Sequence, residues 1–316
     1  MAALVCDICG GKLKVTDGKY AVCESCGMEH SIERVRQKYK ESQSVVHVDN
    51  AHLIDNYLVM AQDAYDAGNK KEAERYCNKI IEINADDADA LMLKAKAVGW
   101  QSSIGEFRFK EASICFANAV NSTLNDSEKE ELVNQIEDEF RGLATALIKL
   151  RCDRFSKWPD DDETDGFCND LEELSDAVDA FANETGKNIN KNIVFRNVSS
   201  IVKMCIGTVA TTKILLEYKV NGSRQAYLNF SNRTDNCIRI LEKAADLCDD
   251  DDESDAKLYE IIISMLKSVI NNNTTDYISD RFGAFKEQPR LSSFEVDKRR
   301  KKIATLEDKI KEIKSK

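Results

Sequence analysis

Proline is nearly missing from this chain, with Pro159 and Pro289 the only two among 316 residues. Few breakers and a charged content of 32% suit a mostly helical protein with many solvated faces. No stretch reaches about 18 uncharged apolar residues, the length a membrane span needs. The most apolar region, Ile193 to Val220, is broken by Arg196, Lys203 and Lys213. The start, Met1 to Cys6, has neither the charged segment nor the apolar run of a signal peptide. Catalytic constellations are missing too. His30, His47 and His52 are the only histidines, and none sits in a recognisable nucleophile or metal motif. The phosphate-loop pattern G-x-x-x-x-G-K-[ST], the dinucleotide pattern G-x-G-x-x-G and the nucleophile elbow G-x-S-x-G do not occur. Acidic pairs are abundant, but they lie in runs or on polar helix faces, which is solvation and not acid–base chemistry. An enzyme is not expected.

Cysteine, in contrast, is plentiful. Cys6, Cys9, Cys23 and Cys26 are spaced C-x2-C-x13-C-x2-C, and each pair is followed at once by Gly10 or Gly27. A two-residue gap lets both thiolates of a pair point at one ion from a tight turn. Glycine after the second sulfur permits a left-handed backbone and leaves N–H groups free to face the sulfurs. Two such knuckles joined by a short hairpin give a tetrahedral four-cysteine zinc site. A redox C-x-x-C would stand once, near a βαβ pattern, which does not surround it here. With four protein ligands no position stays open for a catalytic water, so the expected Zn2+ is structural. A segment of about 30 residues buries too little apolar surface to fold alone. Metal binding, apparently about 10–16 kcal/mol in small zinc peptides, supplies the missing stability. His30, four residues past Cys26, is a candidate spare ligand, but a surface residue is the preferred reading, because the sulfurs already close the shell. The cysteine total is eleven, an odd number that fits a reducing compartment and an expected cytoplasmic location.

The net charge of −11 is unevenly spread. Residues 1–50 balance at seven basic and seven acidic side chains, whereas Val296 to Lys316 carries +5 and the stretch 51–295 carries −16. A body this acidic repels phosphate backbones, so nucleic acid is disfavoured as its main ligand.

Helical periodicity begins beyond the cysteines. Ser31 is a candidate cap for a first helix to about Ser44, within a helical linker over 31–50. In 51–158, Tyr57, Met60, Ala61 and Ala64 share one face, Gly68-Asn69 makes a turn, and Ala73, Cys77 and Ile80 form the next face. A second pair follows, with Ala90, Leu91 and Ala95 on one helix and Ala112, Phe116 and Ala119 on the other. Ala61 and Ala95 are 34 residues apart, the tetratricopeptide period. Ser127 and Glu130 stand in capping-box spacing ahead of a third stretch to about Asp153. Trp158-Pro159 and Asp160 to Glu163 then break the pattern, so an acidic linker is expected over 159–166.

A second helical domain is expected over 167–290, with helices near 167–184, 191–219, 222–248 and 255–271 and an irregular remainder. Cys205, Cys237 and Cys248 read as buried small hydrophobes. Asp161, Glu163, Asp165, Gly166, Asn169 and Glu172 match a calcium-loop template in spacing. Glutamate at the third position is too long and Pro159 spoils the entering helix, so a solvated acidic linker is the preferred reading. The basic amphipathic helix over 291–316 carries Ile303, Leu306, Ile310 and Ile313 on a coiled-coil seam. Weak self-association, docking on the acidic body and docking on an acidic membrane face or partner all remain open for it.

Cys6-Asp7-Ile8-Cys9-Gly10 and Cys23-Glu24-Ser25-Cys26-Gly27 resemble the ribbon knuckles of general transcription factors, without the proline often found inside them. Together with the helical pattern, the chain resembles bacterial-type proteins that join an N-terminal zinc ribbon (1–30) to tetratricopeptide-like helices. Cys77 where an aromatic is usual and Ala85 where proline is common depart from the repeat pattern. The resemblance implies a mainly α chain with a small β ribbon, acting as a binding module. The expected function is a non-catalytic adaptor that holds a protein or peptide on its repeats. The alternative is a nucleic-acid- or transcription-associated protein whose ribbon contacts DNA or polymerase.

Overall fold

The computed structural model describes residues 6, 12–15, 20–31, 35, 51–248, 253–279 and 285–315. The chain is mainly α with a small three-stranded sheet near its N-terminus. Strands β1 (Leu13–Val15), β2 (Tyr20–Cys23) and β3 (Glu29–Ser31) form an antiparallel sheet in that order. The expected helical linker over 31–50 lies outside the described residues except at its ends: Ser31 closes β3 and residue 35 is helical.

The helical body starts with α1, helical over 51–66, and α2 (Lys70–Ile83). Gly68, at φ +81°, turns the chain, and the Asn69 side chain then caps α2 by accepting from Glu72 N–H. Asp87 caps α3 (Ala88–Gly99) in the same way, α4 spans Phe109–Ser122, and Asn125 caps the long α5 (Asp126–Lys157). Ala61, Ala73, Ala95 and Ala112, each on a helix face marked out by the spacing, are all fully buried. Small side chains there let neighbouring backbones approach, and Ala61, Cys77 and Leu93 bring α1, α2 and α3 into one cluster.

The acidic stretch expected as a linker is helix. Asp160 accepts from Glu163 N–H and α6 runs over Asp161–Thr185 with Asp161, Asp162 and Glu163 in its first turn. Acidic side chains at a helix start complement the exposed N–H groups and the dipole, so the run that reads as a breaker is an initiator. Glu163 is buried between Arg151 and Arg154 of α5, at 3.1 and 2.6 Å. A calcium loop over 161–172 is therefore not formed.

Helices α7 (Lys191–Val209) and α8 (Leu215–Asn221) flank a π-helical turn, Ala210–Ile214. Around that turn the Thr208, Thr211 and Thr212 hydroxyls donate to carbonyls four residues back, at 2.8, 2.9 and 2.8 Å. This combined helix, Lys191–Asn221, is long and apolar enough to cross a membrane, but it packs Val194, Phe195, Val198 and Val202 into the protein core against α5 and α9. Helix α9 spans Arg224–Ala245 and α10 spans Glu253–Asn271.

Several helices contact both a sequence neighbour and the next helix but one. Lys96 of α3 meets Glu139 of α5 at 2.9 Å, α4 packs on α6, α5 on α7, and α7 on α9. That alternation crosses the expected boundary at 159–166 without a break. One apolar cluster runs from Leu91 to Ile310. The divided body expected from the sequence is thus a single packed unit from α3 onward.

Two further elements differ from expectation. The stretch expected to be irregular holds a hairpin, β4 (Thr275–Ser279) with β5 (Phe285–Pro289). Its base is tied down by Arg290, which holds Asp276 at 3.0 Å and donates to Tyr218 Oη at 3.1 Å and the Gly222 carbonyl at 2.9 Å. The last helix, α11 (Ser293–Ser315), lays its seam on α10, burying Ile303, Leu306 and Ile310. Lys302–Glu242 at 2.9 Å and Lys314–Glu260 at 3.0 Å fix it to the acidic body. Of the three fates left open for this seam, the fold adopts intramolecular docking.

Candidate metal centre

The sheet positions the sulfurs. In β2, Ala21 and Cys23 alternate with outward residues and are almost wholly buried. Cys23 N–H donates to the Met28 carbonyl and Gly27 N–H to the Cys23 carbonyl, both at 2.9 Å, which closes the turn carrying Cys26. Gly27 sits at φ +73°, the left-handed backbone expected after a second knuckle sulfur. Ser25 N–H lies 3.4 Å from Cys23 Sγ and donates to it. The second knuckle therefore has the turn and the N–H···S contact that its sequence requires.

Cys6, buried at 3% exposure, brings the third sulfur from before β1. Its Sγ is 3.7 Å from Cys26 Sγ, and the Cys6, Cys23 and Cys26 sulfurs all lie within 4.8 Å of one another. Bonds of about 2.3 Å in a tetrahedral zinc site separate neighbouring sulfurs by about 3.8 Å. The observed approach matches that edge. Three soft thiol donors, two from one turn and one from before β1, converge and fit a metal ion. Cys9, the fourth expected ligand, lies outside the described residues.

His30 is not the surface residue expected. It is half-buried on β3, opposite Ala21, with Nε2 3.2 Å from Cys6 Sγ. The signal that could have found it is sheet register. Residues directly opposite in an antiparallel pair share a face, and Ala21 shares its face with Cys23.

Elsewhere the described cysteine sulfurs are buried or partly buried. Cys237 is fully buried as expected, whereas Cys205 and Cys248 are only partly so. Burial pushes the Cys77 and Cys237 thiols up to about 12, far from thiolate at neutral pH. Cys205 Sγ approaches the Cys152 carbonyl at 3.7 Å and Ser156 Oγ at 3.6 Å, across the α5–α7 contact. Of the other histidines, His47 lies outside the described residues and His52 is on exposed α1 surface.

The buried Arg151 and Glu163 are engaged in ion pairs. Arg151 holds Glu163 and, at 2.7 Å, Asp170, whose carboxyl burial nonetheless pushes above its ordinary value. Arg108 holds Glu74 through two hydrogen bonds at 2.9 and 3.0 Å, and this bonding keeps the Glu74 carboxyl below its ordinary value. Two open clefts, of about 530 and 700 Å³, are lined by residues such as Arg141, Asn190 and Arg196, and Asp86, Asn118 and Leu124. Neither brings a cysteine or histidine nucleophile to a base. No family model matches the sequence, and no curated protein is significantly similar to it.

Proposed function

We propose that the protein is a non-catalytic adaptor whose N-terminal ribbon is folded by one structural zinc ion and whose helical array binds a protein or peptide partner. The convergence of the Cys6, Cys23 and Cys26 sulfurs carries the first half of this reading. Zinc fits best among metals because a C-x2-C pair in each knuckle offers four thiolates in a tetrahedral, closed shell. Cys9 completes the set. The bound ion would neutralise the thiolates and cross-link the knuckles, with no open position for substrate.

The second half rests on the alternating helix contacts. Tyr65 of α1, Lys96 of α3 and Glu139 of α5 meet on one side: the Glu139 charge helps raise the Tyr65 hydroxyl, after burial, and pairs with Lys96. Odd-numbered helices of a tetratricopeptide-like stack line one face in this way, and such stacks present an extended concave surface. A partner docked there would cross Tyr65, Lys96 and Glu139. The test compares the wild-type chain with a Tyr65→Ala, Lys96→Glu double variant in affinity capture. A stoichiometric partner held by the first and lost by the second is the expected result. A partner held equally by both would count against this face.

One observation favours a ribbon-centred reading, in which the protein is nucleic-acid- or transcription-associated. The sheet region exposes Lys12 and Lys14 against Glu24 and Glu29, together with Val15, Tyr20 and Met28, a neutral and partly apolar surface unlike the acidic body. Salt-sensitive binding of mixed-sequence DNA that requires these residues would favour it over the adaptor reading.

A further inference from the structure

We propose that His30 is a positioning residue of the metal centre, donating its Nε2–H to the Cys6 sulfur from outside the ligand shell. The inference rests on the reading that the cysteines hold a soft divalent ion. His30 and Cys6 are 24 residues apart, yet Nε2 and Sγ are 3.2 Å apart. That is hydrogen-bond distance for a nitrogen donor to sulfur. The sheet enforces the approach: β3 pairs His30 with Ala21, on the face that Cys23 turns to the cluster.

The same geometry separates a donor from a ligand. The three sulfurs lie within 4.8 Å of one another, and the imidazole nitrogen does not join that set. Among the described sulfurs, Cys6 is the one it hydrogen-bonds. Four thiolates around a divalent ion leave a net negative charge, and Cys6 is buried at 3% exposure, away from water that could offset it. An N–H donor is the remaining way to disperse that charge. Cys23 receives such a donor from the backbone of Ser25 at 3.4 Å. Cys6 receives its own from a side chain of the third strand, so the metal centre and the β2–β3 register support each other.

The experiment uses the full chain as wild type, His30→Phe and His30→Gln, each titrated with Zn2+ against a chromophoric chelator and with Co2+ for spectroscopy. Phenylalanine keeps the ring and its strand preference but has no donor, whereas glutamine restores an N–H. The expected result is one metal per chain in all three and about a 10- to 100-fold affinity loss in His30→Phe. His30→Gln should recover most of that loss. The sulfur-to-Co2+ charge-transfer band should move in His30→Phe while the ligand-field pattern stays that of four sulfurs. Unchanged affinity in His30→Phe, or an equal loss in His30→Gln, overturns the inference and leaves the metal reading intact. A ligand-field pattern that loses a nitrogen donor in His30→Phe also overturns it, since His30 would then be a ligand. A wild-type chain that takes up no metal overturns both. Unchanged melting of the helical body in each variant serves as the folding control.

Discussion

The two ends of this molecule are stabilised by different physics. Among the described residues of the N-terminal sheet region, Cys6, Ala21 and Cys23 are the buried apolar side chains, and two of them are thiols. From Leu91 to Ile310, in contrast, a continuous apolar cluster joins α3 to α11. Inside it Phe140 meets Phe109, Phe116 and Phe181 at ring distances of 5.3, 5.4 and 5.6 Å. Burial at roughly 25 cal/mol per Å² can fold the body but not the sheet. A sheet of three short strands with so little inside needs a cross-link, and the sulfurs supply the donors for one.

Removing the cross-link should therefore separate the two regions most sharply. Cys23→Ser, or a strong chelator, is expected to remove nearly all protection of residues 20–31 from amide hydrogen exchange. The loss corresponds to about 10–16 kcal/mol of apparent metal-coupled stability. Residues from α3 onward should keep their protection. Equal loss in both regions would show that the sheet and the body share one folding unit.

The body should be broken by its interior instead. Phe140→Ala removes the ring at the centre of the aromatic contacts and is expected to cost about 3–5 kcal/mol in denaturant unfolding. Arg151→Met leaves the half-buried Asp170 without its cation and Glu163 with Arg154 alone, at an expected cost of up to about 3–5 kcal/mol. Neither variant should lower metal uptake at the proposed cysteine site.

Smaller changes sharpen the picture of close helix contact. The Cβ of Ala112 is 3.4 Å from where a Cβ on Gly99 would stand, and Leu143 is closer still. Ala112→Leu should overpack the α3–α4 contact and lower stability by about 1–3 kcal/mol. The smallest effect expected is at Glu74. Its carboxyl pKa is held below the ordinary 4.5 by the hydrogen bond from Arg108, so its contribution is full above that pH. The contribution fades as the pH falls below 4.5 and through the lowered folded-state value. Glu74→Gln should abolish this part of the acid sensitivity, at a cost of about 1 kcal/mol at neutral pH.

Much of this was legible in residue spacing. The second knuckle, its left-handed Gly27 and the buried alanines of α1 to α4 follow from local pattern, because each depends on neighbours within a turn or two. Three features do not. The acidic run at Asp160–Glu163 reads as solvated linker until Arg151 and Arg154, brought from α5, are seen to enclose Glu163. The β4–β5 hairpin has almost no apolar alternation to announce it, since nearly all its side chains are exposed, and Arg290 at its end anchors it to the distant Tyr218 and Gly222. His30 is missed for a related reason: its role follows from pairing with Ala21 across two strands, and register is not visible in a single strand. Contacts of long sequence separation are what the spacing of residues leaves out.

The claim that a sulfur-bound metal ion folds the N-terminal region is tested most directly by X-ray absorption at the zinc edge on protein purified without added metal. The account predicts about one zinc per chain with a first shell dominated by sulfur at about 2.3 Å. A chain free of metal, or a zinc shell made of oxygen and nitrogen, would contradict it.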